Sequence, residues 1–359
     1  MNRGSAIALM LSTAVLASGF MPPQEKPRLK LIHADALRHR KEGDVVRQEL
    51  VGNVALQRGA TTITCDLATQ VGGRDPITLV GRVEIKDSLR TLRADTVYFY
   101  QQEGKQVASG HVVHITRSDT TWAKRMTYFQ RERRAVSEGD VKVVNTEERS
   151  RLTAGFTEYY RDRGYARILD EPVWTRFDSL GQQMVVVGDT MELFGNGDTT
   201  VVRGHVRIEH PKAVATCGLA TFYRGDERTL LLDSPAITLR NQNVSGDTME
   251  LKLERARLSY LLVKGNAVAT SEADTLEPGK WVNRLSGRRM EFFFQDDELQ
   301  RIVVQQQASS LNHIIEDREF KGTNEVSGDR IEVFFDNGTL ARVVVQSAPD
   351  VATGKYSPP

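Results

Sequence analysis

Seven histidines, two cysteines and a few acid pairs are the residues through which this 359-residue chain could do acid–base, metal or thiol chemistry. His111 and His114 are the closest histidine pair, but on a strand an offset of three sends side chains to opposite faces, which is poor for a shared metal ion. His111 and His205 each follow a glycine, in a slot that also takes Asn53, Arg82 and Asp140. The slot therefore reads as one that tolerates any polar residue. Cys65 and Cys217 lie in one repeated phrase, Thr64-Cys65-Asp66-Leu67-Ala68-Thr69 and Thr216-Cys217-Gly218-Leu219-Ala220-Thr221. If each copy advances one strand spacing of about 4.8 Å, the sulfurs stand roughly 24 Å apart, beyond the about 7 Å that a disulfide spans. Two buried free thiols are expected, with no redox or metal role. Asp296 and Asp297 read as turn acids. No His-Glu-x-x-His, phosphate loop, dinucleotide fingerprint or Gly-x-Ser-x-Gly elbow occurs. The expectation is no catalytic residue, no metal and no cofactor.

What positions these residues is a repeat. Gly52, Gly81, Gly110 and Gly139 fall 29 residues apart and each opens a Gly-x-Val-x-Ile-like phrase, as in Gly81-Arg82-Val83-Glu84-Ile85. Such a period means one supersecondary unit copied and stacked, and the alternation within the phrase is that of a half-buried strand. A second phrase runs further along the chain: Leu92-Arg93-Ala94-Asp95-Thr96-Val97-Tyr98-Phe99, then Val186 to Leu193, Val244 to Leu251, Leu285 to Phe292 and Val326 to Val333. Its apolar residues fall at positions 1, 3, 6 and 8. That phase flip predicts a β-bulge or bend at Asp95, Asp189, Asp247 and Asp329, with each aspartate bonded to backbone and facing water. Repeated bends would curve the sheet into a trough of order 50 Å, at one strand per sheet per unit.

A calcium β-roll is excluded by the length of the unit. Glu192, Glu250, Glu291 and Glu332 read as a solvated outer face. The proline units around Pro172 and Pro235 are expected to pair less regularly. Segments 270–280 and 307–325 read as loops, and 347–359 as a flexible tail.

The N-terminus differs from the rest. Arg3, the apolar stretch Ala6 to Leu16 and the small residues Ala17, Ser18 and Gly19 read as a signal peptide over 1–20, giving an exported, soluble protein. With 48 basic and 47 acidic residues the net charge is +1, which argues against a general nucleic-acid or anionic-membrane binder.

Gly52-Asn53-Val54, Ile63-Thr64-Cys65-Asp66-Leu67-Ala68, Gly81-Arg82-Val83-Glu84-Ile85 and Leu92 to Phe99 together resemble the OstA-like family of lipopolysaccharide-transport proteins, which includes the periplasmic LptA bridge and the periplasmic domain of LptD. The likeness is strongest over 30–160 and continues to about 346. It implies an all-β, elongated, twisted open β-jellyroll built from stacked 29-residue two-strand repeats, with one OstA-like module over 30–160 and a second, more divergent one, continuous with the first, over 161–346. It implies a periplasmic, non-enzymatic carrier that shields acyl chains in an apolar groove. Its partners would be lipopolysaccharide or another glycolipid, and other jellyroll components of the bridge joined by end-to-end strand pairing; self-association fits the same edges. No nucleic acid is implied. The family's inward positions fall on Val54, Leu56, Ile63, Leu67, Val83, Ile85, Leu92, Val97, Phe99, Val141 and Val143. Later copies add Leu152, Phe156, Met191, Leu193, Val206, Ile208, Met249, Leu251, Met290, Phe292, Ile331 and Val333.

A charge at Phe99 or Met249 is expected to weaken lipid loading and spare the fold. The clusters Arg131/Arg133/Arg134, Arg161/Arg163/Arg167 and Arg288/Arg289 read either as solvated turns or as rim cations for phosphates on an amphiphile. Two other readings stand beside the carrier: an extracellular parallel β-helix enzyme acting on polysaccharide, and a structural surface repeat with a closed, dry interior.

Overall fold

The computed structural model describes residues 29–43, 45–177, 181–239, 242–254, 257–273, 279–296, 298–316, 319–336, 339–348 and 352–359. The signal peptide expected over 1–20 and Asp297 lie outside them. Among the described residues there are twenty-six strands and two single-turn 3₁₀ helices, and every strand pairing is antiparallel. The protein is all-β.

The 29-residue period corresponds to two consecutive strands of an up-and-down meander. Val45–Arg58 and Thr61–Val71 make one repeat, Arg74–Lys86 and Thr91–Tyr100 the next, then Lys105–Ile115 with Asp119–Phe129, and Arg134–Asn145 with Ser150–Tyr160. Each strand is creased near its middle. In the ladder between Arg74–Lys86 and Thr91–Tyr100, Val80 pairs with Thr96 and Val83 with Ala94, so Gly81 and Arg82 oppose Asp95 alone. The same two-against-one slip separates Ser109 from Val112, Arg203 from Val206, and Lys264 from Ala267.

The crease has a specific chemistry. Gly81 and Arg82 are both left-handed, at φ +77° and +46°, a region that glycine enters without strain. A Cβ on Gly81 would collide with the Asp66 carboxylate of the preceding strand. Arg82 turns back onto that carboxylate, its Nε donating at 3.0 Å. The aspartates face water, and Asp329 bonds to backbone as expected, accepting from the Ala348 N–H at 3.1 Å; the expectation is corrected for the others, which bond to the side chain after the glycine. Asp35 takes Asn53, Asp95 takes His111, Asp189 takes His205 and Asp247 takes Asn266. Lys124 and Asp140 make the pair with the charges exchanged, at 2.7 Å. The slot after the glycine is therefore matched to its partner on the preceding strand.

In the proline units the roles are swapped. Asp170-Glu171 and Asp233-Ser234 carry the left-handed pair, and Gly155 and Gly218 stand opposite them. Pro172 and Pro235 fall in the gap where the crease splits one strand into two. The halves Tyr165–Leu169 and Val173–Phe177 still pair in register with Ser150–Tyr160, so the expected irregularity is confined to the break.

Each crease divides the ladder into two leaves. Every repeat gives two half-strands to each leaf, about 9.6 Å of advance rather than the single spacing expected. Three further expectations are corrected. The described residues of 307–325 lie in the long strands Glu298–Glu316 and Glu319–Asp336. The expected loop 270–280 is strand as far as Glu272. The tail is not free, because Thr353–Ser357 pairs with Thr323–Ser327.

The chain divides into two compact units. The N-terminal unit contains the described residues up to Arg176 together with Thr190–Asp198; the C-terminal unit contains those of Phe177–Asp189 and Thr199–Pro359.

Candidate functional site

The site is the interior of each unit, and the register defines its walls. In the N-terminal unit one leaf carries the row Leu50, Ala68, Leu79, Val97, Ala108, Met126, Ser137, Thr157, Ile168 and Met191, each registered against the next. The other leaf carries Leu56, Ile63, Ile85, Leu92, His114, Thr121, Val143, Leu152 and Trp174. Residues of both rows belong to one packed cluster, with Leu79 and Val97 of the first leaf meeting Ile85 and Leu92 of the second.

In the C-terminal unit the corresponding row is Val202, Ala220, Leu231, Met249, Val263, Met290, Val304 and Ile331, apolar throughout and 0% exposed. Beside it run Phe222, Leu251, Leu261, Phe292, Ile302 and Val333.

Most residues expected to face inward lie on these walls or on the rows next to them. Val54, Val83, Val141 and Val206 line the creases, Phe99 lies beside Val97, Leu193 beside Met191, and Ile208 pairs with Val186. Leu67 and Phe156 do not. Each adjoins an inward neighbour, Ala68 or Thr157, and pairs along the opposite face with Val80 or Glu138. They are corrections, and the phase flip at the crease is the reason. The interior also departs from an open trough: Val54, Val97 and Met191 in the N-terminal unit, and Met249 and Phe292 in the C-terminal unit, are fully buried.

The expected solvated glutamates lie on the outer face but are tucked under a second layer. Glu192 accepts from the Tyr165 hydroxyl at 2.7 Å, and Glu291 from Tyr260 at 2.6 Å and Arg289 at 2.9 Å. Arg330 holds Glu332 at 2.9 Å. The Arg289 and Tyr260 donors bring Glu291 below its ordinary pKa against the cost of its burial. Arg134 bridges Glu132 and Glu158 and lies 4.1 Å over Phe129, so these arginines support the outer wall.

One stretch of the N-terminal interior places polar side chains among apolar ones. Where Ala108, Met126, Ser137 and Thr157 face His114 and Thr121, a cavity of about 40 Å³ remains, lined also by Gln106, Tyr128 and Leu92. His114 is 2% exposed. Its Nε2 and the Gln106 Oε1 are buried without a hydrogen-bond partner. Burial, reinforced by the Arg90 charge, pushes the imidazole pKa down to about 4, so it is neutral at pH 7. Sequence reading considered His114 only as a metal ligand and missed this cluster. Its signal was a histidine at a position of the repeat where other copies carry Leu56 or Ile85. Cys65 and Cys217 are free and buried, and burial pushes both thiols up to about 11, which leaves them unreactive.

No family model and no curated protein matches the chain. Among solved structures, the crystal structure of LptH from Pseudomonas aeruginosa, described as the LptA homologous periplasmic component of the conserved lipopolysaccharide transport device, aligns at 16% identity over 41% of this chain and 95% of that one, with a TM-score of 0.31. An alignment at that score carries no weight; the fold rests on the strand register.

Proposed function

We propose that this chain is a periplasmic, non-enzymatic carrier of lipopolysaccharide or a related glycolipid, each unit acting as one module that takes acyl chains between its leaves. The observation that carries the reading is the run of registered inward apolar residues in each unit, from Leu50 to Met126 and from Val202 to Ile331. Buried apolar surface contributes roughly 25 cal/mol per Å², enough for several chain methylenes to favour the interior over water.

Loading requires movement. A cavity of about 40 Å³ is far smaller than the ~300–1,000 Å³ of ordinary ligand pockets, so the leaves must part at their tips while the creases hold. Neighbouring jellyroll proteins would add at the edge strands by backbone pairing.

A second reading has an observation in its favour. The fully buried rows of the C-terminal unit also suit a structural repeat with a dry interior. Native mass spectrometry of the protein isolated from its own periplasm separates the two. Bound glycolipid supports the carrier; a bare chain supports the structural repeat.

A further inference from the structure

Buried polar atoms in folded proteins nearly always find a hydrogen-bond partner, and a cluster without one points to bound water or an ion. Among the described residues such atoms fall in the N-terminal unit and none in the C-terminal unit. The register gathers Gln106 Oε1, His114 Nε2, Ser150 Oγ and Arg90 Nη1 in one stretch of it. Gln106 and His114 both line the cavity between the leaves. Ser150 and Arg90 stand two residues nearer the leaf tip than Leu152 and Leu92 of the inward row. Ser150 also extends a buried polar row with Asn145 and Asp119, registered side by side. Asn145 donates to Asp119 at 2.7 Å, and Ser150 Oγ is left over. Leaving such groups unpaired is costly.

The mixed sign of these atoms selects among ligands. Gln106 Oε1 only accepts and Arg90 Nη1 only donates, so an ion of either sign serves one and not the other. An acyl chain serves neither. Water does both, and it needs two to four polar partners and about 10–15 Å³ of space. The cavity of about 40 Å³ has room for about two or three waters. Thr121, Ser137 and Thr157 add buried hydroxyls to its lining. We infer that the strands from Lys105–Ile115 to Ser150–Tyr160 enclose a bound-water site, a hydrated belt across the N-terminal interior. The site stands whether or not the unit carries lipid. It divides the apolar interior in two, with Leu50 and Leu79 on one side and Ile168 and Met191 on the other. Water-bridged contacts also exchange without breaking a packed core, so the belt is the seam along which these leaves part.

The test counts waters in the full chain. Deuterium relaxation dispersion reads the waters that a protein holds far longer than bulk solvent does. The wild type should hold roughly one to three more of them than the double variant Gln106→Leu/His114→Leu, in which apolar side chains replace both unpaired groups. Met249→Leu, in the fully buried C-terminal row, should leave the number unchanged. A wild-type crystal under xenon pressure gives a second reading, because xenon enters dry apolar cavities. The inference expects no xenon in the cavity lined by Gln106 and His114. Xenon or an acyl chain there, or equal numbers of long-lived waters in the wild type and the double variant, would overturn it. The xenon reading needs no variant, so it decides the matter even if the double variant does not fold.

Discussion

The two units use one crease and fill the space behind it differently. In the C-terminal unit the residue before the crease is, apart from Cys217, a glycine (Gly188, Gly246, Gly287 and Gly328), and a valine methyl of Val202, Val263, Val304 or Val345 occupies the room that a Cβ would need there. In the N-terminal unit the same place holds Cys65, Ala94, Ala123 or Ala154, and the residues two before the crease glycines shrink from Leu79 to Ala108 to Ser137. Valine into glycine closes the interior. Small against small leaves a cavity, and the cavity is where His114, Gln106, Thr121 and Thr157 gather. The difference shows how a repeat can keep its backbone and still set, copy by copy, whether its core is sealed or receptive.

The largest expected effect comes from breaking the sealed core. Met249→Asp puts a charge into a fully buried row and should cost more than about 4 kcal/mol, read as loss of the folded state by circular dichroism. Phe99→Asp, at a half-buried position, should leave the chain folded. Full burial of Met249 thus removes it as a position where a charge is expected to spare the fold, and Phe99 alone carries that prediction.

Next is pH. Because the folded-state pKa of His114 lies near 4 against an ordinary 6.5, the unfolded chain takes up a proton in that window that the folded chain refuses. Stability should fall as pH drops from 6.5 to 4, by roughly 3 kcal/mol. Arg90 reinforces the shift and Asp87 opposes it. His114→Leu should flatten this part of a denaturation series.

Gly246→Ala drives a Cβ into Val263 and should cost about 1–3 kcal/mol, partly recovered by adding Val263→Ala. Ala94→Gly, which gives an N-terminal crease the C-terminal residue, should cost no more than about 1 kcal/mol. Equal effects in melting experiments would erase the distinction between the units. The smallest change is Ser137→Val. Filling a cavity of about 40 Å³ should stabilise by up to about 1 kcal/mol while lowering amphiphile capture.

Much of this was legible before any coordinates. The two-strand repeat, the all-β class and the crease all follow from the glycine period and from the phase flip in Leu92 to Phe99. Applied strictly, the 1, 3, 6, 8 pattern would have rejected Leu67 and Phe156, which occupy position 5, and accepted Ala68 and Thr157. Those two errors came from choosing large apolar residues over the register. The opposite wall was harder to read, because Leu79, Ala108 and Ser137 share a position and no common chemistry. The pairing of Asp66 with Arg82, or Asp95 with His111, spans sixteen residues and becomes visible only when neighbouring strands are laid side by side. The strands at 307–325 were hidden by polar residues such as Asn312 and Asn324, which pair with each other.

Leu92 and Arg93 are adjacent on one strand and point to opposite faces, Leu92 into the packed interior and Arg93 out to Glu84 at 2.7 Å. A photoreactive diazirine side chain placed at each position in turn, and irradiated in cells that make lipopolysaccharide, tests the carrier account most directly. The account predicts that position 92 captures the glycolipid and position 93 does not. Equal capture at both positions, or capture at neither, would contradict it.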